Sequence, residues 1–124
     1  MANQRPKYLN LRKIRLPLPG LVSILHRISG FGLFLFLPLL LWLLHSSLAS
    51  PESYVHYRDA IAHPLVKILL IGLLWAFLHH LCAGLRFLAL DVHLGTDLPA
   101  ARNSSRAVLI VGILLTIVLG ALVW

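Results

Sequence analysis

Residues 31–44 read FGLFLFLPLLLWLL, a run of 14 residues without one charged side chain. The run is the centre of an apolar stretch that extends over residues 21–45. A helix needs about 20 apolar residues to cross the roughly 30 Å hydrocarbon core of a bilayer. Pro38 lies inside the run, but a helix in lipid tolerates proline where neighbouring groups satisfy the freed carbonyl. The stretch therefore predicts a transmembrane helix.

Two further apolar stretches have the length of a membrane span, at residues 65–90 and 107–124. The whole chain of 124 residues is 59% hydrophobic and only 12% charged. A soluble domain of this size could not cover so much apolar surface. We therefore predict an all-α membrane protein with one three-helix transmembrane domain over residues 21–124. A basic segment precedes it at residues 1–20, and polar loops at residues 46–64 and 91–106 connect the three spans.

The net charge of +7 comes from side chains that gather at the ends of the spans. This distribution favours contact with lipid headgroups in the bilayer and disfavours a nucleic-acid partner, which a basic stripe with interleaved aromatic residues would indicate. The N-terminal segment holds five Lys or Arg residues, and the region of the second loop holds Arg86, Arg102 and Arg106. The first loop region holds only Arg58 and Lys67. The positive-inside rule therefore predicts a cytoplasmic N-terminus and a C-terminus on the outer side.

Two histidines, His26 and His80, fall inside the predicted spans. An ionisable group within a membrane is a candidate functional residue. On a helix, Ser23, His26 and Arg27 share one face. In the second span, helical spacing also aligns His80 with three later residues, which are Gly84, Phe87 and Asp91. The other histidines lie at span ends or in loops, apart from His79, and we interpret them as solvated groups.

Gly84 follows His80 by one helical turn. A glycine on the face of a histidine leaves room for a flat molecule such as a porphyrin, for which neutral imidazole is a common axial ligand. Small residues also promote close packing between membrane helices. The spacing by itself leaves both interpretations of Gly84 open.

The expected depths of the two histidines differ. At 1.5 Å per residue, His26 lies roughly 7 Å below the cytoplasmic end of its span, and His80 lies roughly 15 Å below the end of the second span. Two ligands of one iron need nearly the same level. We therefore expect a second iron ligand from another polypeptide, with His26 and Arg27 placed to hold haem propionates or the head group of a lipophilic substrate.

Two motifs, SILHRISG at residues 23–30 and HHLCAGLRFLALD at residues 79–91, identify a family resemblance. Shorter matching stretches are RPKYLNL at residues 5–11 and LLWLLHSSLASPE at residues 40–52. Over nearly its whole length, the chain resembles the cytochrome b membrane-anchor subunit of succinate dehydrogenase (complex II), particularly the proteobacterial type.

The resemblance implies a role for five of these residues. His80 would be one axial ligand of the iron of haem b, with the other ligand from a second small membrane-anchor subunit. Ser23 and Arg27 would bind ubiquinone, His26 and Arg27 would lie near the haem propionates, and Gly84 would pack against the haem. The resemblance also implies an iron–sulfur subunit, a flavoprotein subunit and a location in the bacterial cytoplasmic (inner) membrane, with the C-terminus in the periplasm.

The chemistry of Ser23 and Arg27 fits such a role. A guanidinium stabilises the negative charge that forms on a quinone oxygen far better in a medium of low dielectric than in water. A serine hydroxyl can donate a hydrogen bond to a quinone carbonyl. The chain has no motif for nucleotide binding, iron–sulfur ligation or dicarboxylate binding, so none of its residues is expected to catalyse succinate oxidation.

The second motif departs from the family at Phe87, where a histidine is common. This departure leaves His80 as the family-matched ligand and His79 as its rival. Two other functions stay open at this point. One is the anchor of a fumarate reductase that uses menaquinol, and the other is a structural or assembly membrane protein without a redox group.

Overall fold

The fold was obtained as a computed structural model, which describes residues 15–124. These residues form four helices: α1 (Leu18–Leu48), α2 (Pro51–Ala62), α3 (Pro64–Asp91) and α4 (Leu98–Val123). Three of them, α1, α3 and α4, are long and apolar enough to cross a membrane. The predicted all-helical membrane fold is therefore confirmed. Most of the predicted N-terminal segment, residues 1–14, lies outside the described residues.

The three long helices form a bundle in which α3 packs against both α1 and α4. The core between them is small, and its buried centre consists of one residue from each helix, Val22, Ala83 and Val108. Large apolar side chains elsewhere point outward, and Phe34, for example, is 74% exposed. Outward apolar side chains suit a lipid environment, where the usual hydrophobic drive to bury them between helices is absent.

Helix α1 is longer than the predicted span at both ends. It begins at Leu18 because Pro17 and Pro19 suit the entry of a helix, where an N–H group is not needed. Pro38 lies inside the helix without ending it. The helix continues to Leu48, beyond the apolar run itself.

Both segments that we predicted as loops contain helix. The first holds the short helix α2, which begins in a capping box: Ser50 accepts from the backbone N–H of Ser53, and Ser53 accepts from the backbone N–H of Ser50. The second is helical from Leu98, because Asp97 accepts from the backbone N–H of Ala100. Because residues 98–106 include several polar side chains, the first turns of α4 were predicted as part of the loop.

Helix α3 ends in a Schellman turn. The backbone N–H of His93 donates to Leu90 and that of Leu94 donates to Ala89, both at 2.9 Å. His93 takes a φ of 63°, in the left-handed region that glycine normally fills at this position. The connection between α3 and α4 is therefore a tight turn of a few residues.

Candidate functional site

The imidazole rings of His26 on α1 and His80 on α3 stack on one another. Their centroids are 4.0 Å apart and their planes differ by 9°. The predicted difference in depth between these residues is therefore wrong. Because α1 begins at Leu18, His26 lies eight residues inside its helix, roughly 12 Å, while His80 lies eleven residues, roughly 16 Å, from the end of α3 at Asp91. The earlier helix start removes much of the difference, and the packing of the helices brings the rings level.

The ring of His80 is anchored through its Nδ1 atom. This atom lies 3.0 Å from the backbone carbonyl oxygen of His26 and 3.3 Å from the hydroxyl of Ser29. Because a carbonyl oxygen can only accept, Nδ1 carries the hydrogen and donates it. The other ring nitrogen, Nε2, then has a free lone pair, since a neutral imidazole has one N–H group.

A groove of about 440 Å³ opens beside the two rings. Its walls come from α1 and α3, and the lining residues are His26, His80, Leu81, Gly84, Leu85, Phe87 and Leu88. Of the four α3 residues that helical spacing aligned, His80, Gly84 and Phe87 line this groove. The fourth, Asp91, is exposed at the end of α3 and does not line it. Apart from the two imidazoles, the groove is apolar.

Gly84 and Phe87 both lie beside the ring of His26. A Cβ atom at Gly84 would lie 3.6 Å from Nε2 of His26, an ordinary van der Waals distance. Phe87 meets the same ring edge-on, with centroids 5.1 Å apart. Phe87, the residue at which the second motif departs from the family pattern, therefore packs against His26 between α3 and α1.

The predicted quinone residues lie outside this groove. Ser23 is half-buried and Arg27 is exposed, and neither lines the groove. Within residues 15–124, their side chains make no hydrogen bond. Of the three residues predicted to share one face of α1, only His26 lines the groove.

His79 points away from the groove, into the interior of the bundle. It is fully buried, and both ring nitrogens lack a hydrogen-bond partner within the described chain. Trp75 stacks on the ring of His79 at a centroid distance of 5.2 Å. The backbone of His79 lies close to Gly112 of α4, where an added Cβ atom would be 3.6 Å from the Cα of His79. His79 has no access to the groove.

Three residues to which the sequence analysis gave no role in the site shape this region. Ser29 and Gly30 adjoin the His80 ring. Arg86, only 8% exposed, donates from Nε to the hydroxyl of Ser104 at 2.9 Å and from a terminal nitrogen to the carbonyl of Ala101 at 3.4 Å. The position of Gly30, one turn after His26, was a usable signal, but nothing in the sequence pairs Arg86 with Ser104.

Residues 1–119 match the model of a family described as the succinate dehydrogenase/fumarate reductase transmembrane subunit. The chain belongs to this family. The predicted resemblance is thereby confirmed.

Several relatives of this transmembrane subunit family carry the name succinate dehydrogenase cytochrome b556 subunit. The protein of Coxiella burnetii is 38% identical over 125 aligned positions that cover 100% of both chains. That of Paracoccus denitrificans is 36% identical over 91% of this chain and 87% of its own length. The Rickettsia felis protein is 32% identical over 94% of this chain and 91% of its own. These relatives support assignment to the succinate dehydrogenase branch of the family.

Proposed function

We propose that this chain is a membrane-anchor subunit of succinate dehydrogenase that binds haem b and forms part of a ubiquinone-reduction site. Electrons from succinate, oxidised on a flavoprotein subunit, pass through an iron–sulfur subunit to ubiquinone. The relatives' name, cytochrome b556 subunit, supports a haem b in this chain as well. These relatives are named as subunits of succinate dehydrogenase, and this name favours the proposed function over that of a fumarate reductase anchor.

The observation that carries the proposal is the anchoring of His80. A metal-bound histidine typically donates its other ring N–H to a carbonyl or carboxylate, which fixes the ring and leaves the ligating nitrogen free. Nδ1 of His80 donates to a backbone carbonyl in this way, so Nε2 is the atom that would hold the haem iron. The apolar groove beside the ring suits a flat macrocycle, and the bound haem supplies a one-electron carrier.

The second axial ligand is assigned to a partner anchor subunit. The ring of His26 lies stacked beside that of His80, so the two imidazoles do not oppose one another across one iron atom. The other residues that line the groove are leucine, glycine and phenylalanine, which have no side chain that ligates iron. His26 and the neighbouring Arg27 are instead proposed to hold the haem propionates.

Ser23 and Arg27 are proposed to bind ubiquinone near the cytoplasmic surface. Their side chains make no hydrogen bond within residues 15–124, and they lie in the first turns of α1, which follows the basic N-terminal segment in the sequence. The Ser23 hydroxyl orients a quinone carbonyl, and the Arg27 guanidinium stabilises negative charge on the oxygen during reduction. Because its long side chain can reach the interface, Arg27 avoids the full cost of a charge in lipid.

The test compares two activities of the same membranes. Ser23→Ala and Arg27→Leu should each lower succinate–ubiquinone reductase activity about a hundredfold, because loss of a hydrogen-bond donor to an oxygen on which negative charge develops costs about 2–4 kcal/mol. Reduction of a soluble dye that takes electrons upstream should be unchanged per bound flavin. Arg27→Lys should recover only part of the activity, because lysine lacks the planar guanidinium.

Arg58→Leu is the matched control, since Arg58 is exposed on α2 near the opposite end of the bundle. Its quinone and dye activities should both equal those of the unmodified complex. An equal fall of both activities in the Ser23 and Arg27 variants would reject the quinone site. A purified complex without a cytochrome b band in its reduced-minus-oxidised spectrum would reject the haem.

A further inference from the structure

We propose that His26, Ser29 and Gly30 of α1 form a cradle that positions the His80 ring for the haem iron. This α1 cradle consists of the His26 carbonyl, the Ser29 hydroxyl and the bare Cα of Gly30. The inference rests on the proposed haem-binding function of His80. It adds Ser29 and Gly30 as positioning residues that act through His80 and do not touch the iron.

The polar part of the cradle is a shared hydrogen bond. Ser29 donates its hydroxyl hydrogen to the His26 carbonyl at 2.9 Å, so its oxygen still accepts from Nδ1 of His80 at 3.3 Å. The same carbonyl also accepts from Nδ1, at 3.0 Å. Ser29 is only 5% exposed, and hydrogen bonds are stronger in such a low-dielectric interior. Two acceptors at Nδ1 therefore fix the ring and make the imidazole more basic toward a metal.

The steric part of the cradle is Gly30. A Cβ atom at this position would lie 2.7 Å from Cε1 and 3.1 Å from Nδ1 of His80. The ring cannot easily retreat, because His26 stacks on it at 4.0 Å and Nδ1 is tied to the α1 backbone. A methyl group at Gly30 would therefore displace the ring from the position that the hydrogen bonds define.

The same helix supplies a matched control for each part. Gly32, two residues further along α1, would place a Cβ with no described atom within 4 Å. Ser47 donates to the carbonyl three residues earlier, Leu44, at 2.7 Å, as Ser29 does to His26, but no hydrogen bond joins it to a histidine within residues 15–124. These controls separate an effect on His80 from a general effect on helix α1.

The first measurement uses the purified complete complex, with haem quantified per bound flavin and the low-spin haem signal recorded by electron paramagnetic resonance. Gly30→Ala should lose most of the haem or shift this signal, whereas Gly32→Ala should keep the content and signal of the unmodified complex. A Gly30→Ala complex with unchanged haem and signal would overturn the steric part. Equal haem loss in the Gly32→Ala complex would overturn it as well.

The second measurement keeps the haem in place and follows its midpoint potential. Ser29→Ala should retain haem but raise the potential, because a less basic imidazole stabilises ferric iron less. Ser29→Thr, which keeps a hydroxyl, should lower the potential back toward that of the unmodified complex, and Ser47→Ala should leave it unchanged. An unchanged potential and resonance signal in Ser29→Ala would overturn the polar part of the cradle.

A His80→Leu complex separates this inference from the function on which it rests. Retention of haem in that variant would reject His80 as the ligand, and with it the proposed haem site. Loss of haem in His80→Leu, combined with unchanged spectra and potentials in the Gly30 and Ser29 variants, would reject the cradle alone.

Discussion

At the scale of single residues, His79 and His80 are adjacent in sequence but occupy opposite environments. His80 lines the open groove and is tied to α1 through Nδ1. His79 is enclosed in the bundle, and neither of its ring nitrogens has a partner within the described chain. A buried polar group without a hydrogen bond costs about 1–3 kcal/mol. Adjacent positions on a helix point about 100° apart, so only one of the two rings can face the groove.

This contrast predicts different outcomes for the same substitution. His80→Leu should remove the haem absorption band, because leucine has no lone pair for iron. His79→Leu should keep the band and should not lower the thermal stability of the complex, since leucine fills the pocket without burying unpaired nitrogens. Absorption spectra and thermal unfolding of the purified complexes provide the measurement. Survival of the band in His80→Leu together with its loss in His79→Leu would exchange the two assignments.

At the scale of helices, α3 and α4 are joined by Arg86. Its guanidinium is buried and has no carboxylate partner within residues 15–124, so it depends on Ser104 and on the carbonyl of Ala101. Ser105, the next residue, bonds only within its own helix, to Ala101 at 2.7 Å. Arg86 is therefore a polar link that holds the first turns of α4 against α3, with its shorter hydrogen bond to Ser104 and its longer one to Ala101.

Removal of that link should loosen the start of α4. Ser104→Ala leaves a buried N–H unpaired, which costs about 1–3 kcal/mol, so backbone amides of residues 98–106 should exchange with solvent several-fold to about a hundredfold faster. Hydrogen exchange followed by mass spectrometry measures this change. Ser105→Ala is the control and should leave the exchange nearly unchanged. Equal exchange rates in the two variants would show that Arg86 does not depend on Ser104.

At the scale of the whole molecule, the distribution of positive charge predicts the orientation in the membrane. Helix α2 and the turn between α3 and α4 lie at opposite ends of α3. The positive-inside rule assigns the turn and its flanking arginines to the cytoplasm. The exposed residues His56 on α2 and Thr96 in the turn should therefore face opposite sides of the membrane.

Cysteine labelling tests the orientation. In a background in which Cys82, the only cysteine, is replaced by alanine, a membrane-impermeant maleimide should label His56→Cys on intact cells. Thr96→Cys should react only after the membrane is permeabilised, because the reagent cannot cross the bilayer to reach the cytoplasmic side. The reverse pattern would invert the proposed topology and would move Ser23 and Arg27 away from the cytoplasmic surface.

The class of protein and the location of its three spans could be predicted from the sequence. Length and hydropathy decide whether a segment crosses a bilayer, and both are local properties of the chain. The order and spacing of the motifs around His26 and His80 were also enough to identify the family. The helix ends were less accessible, because α2 and the first turns of α4 are polar segments whose helical state depends on the caps at Ser50 and Asp97.

The side chains that meet across the helices could not be predicted and are known from the packing of the helices. The helical periodicity predicted that Gly84 and Phe87 share a face with His80. It did not predict that the ring of His26, from another helix, packs on that face. It also gave no sign that Gly30 receives the His80 ring. Contacts between helices depend on where each helix begins, how it is rotated and at what level it crosses its neighbour, and residues far apart in the chain set these quantities together.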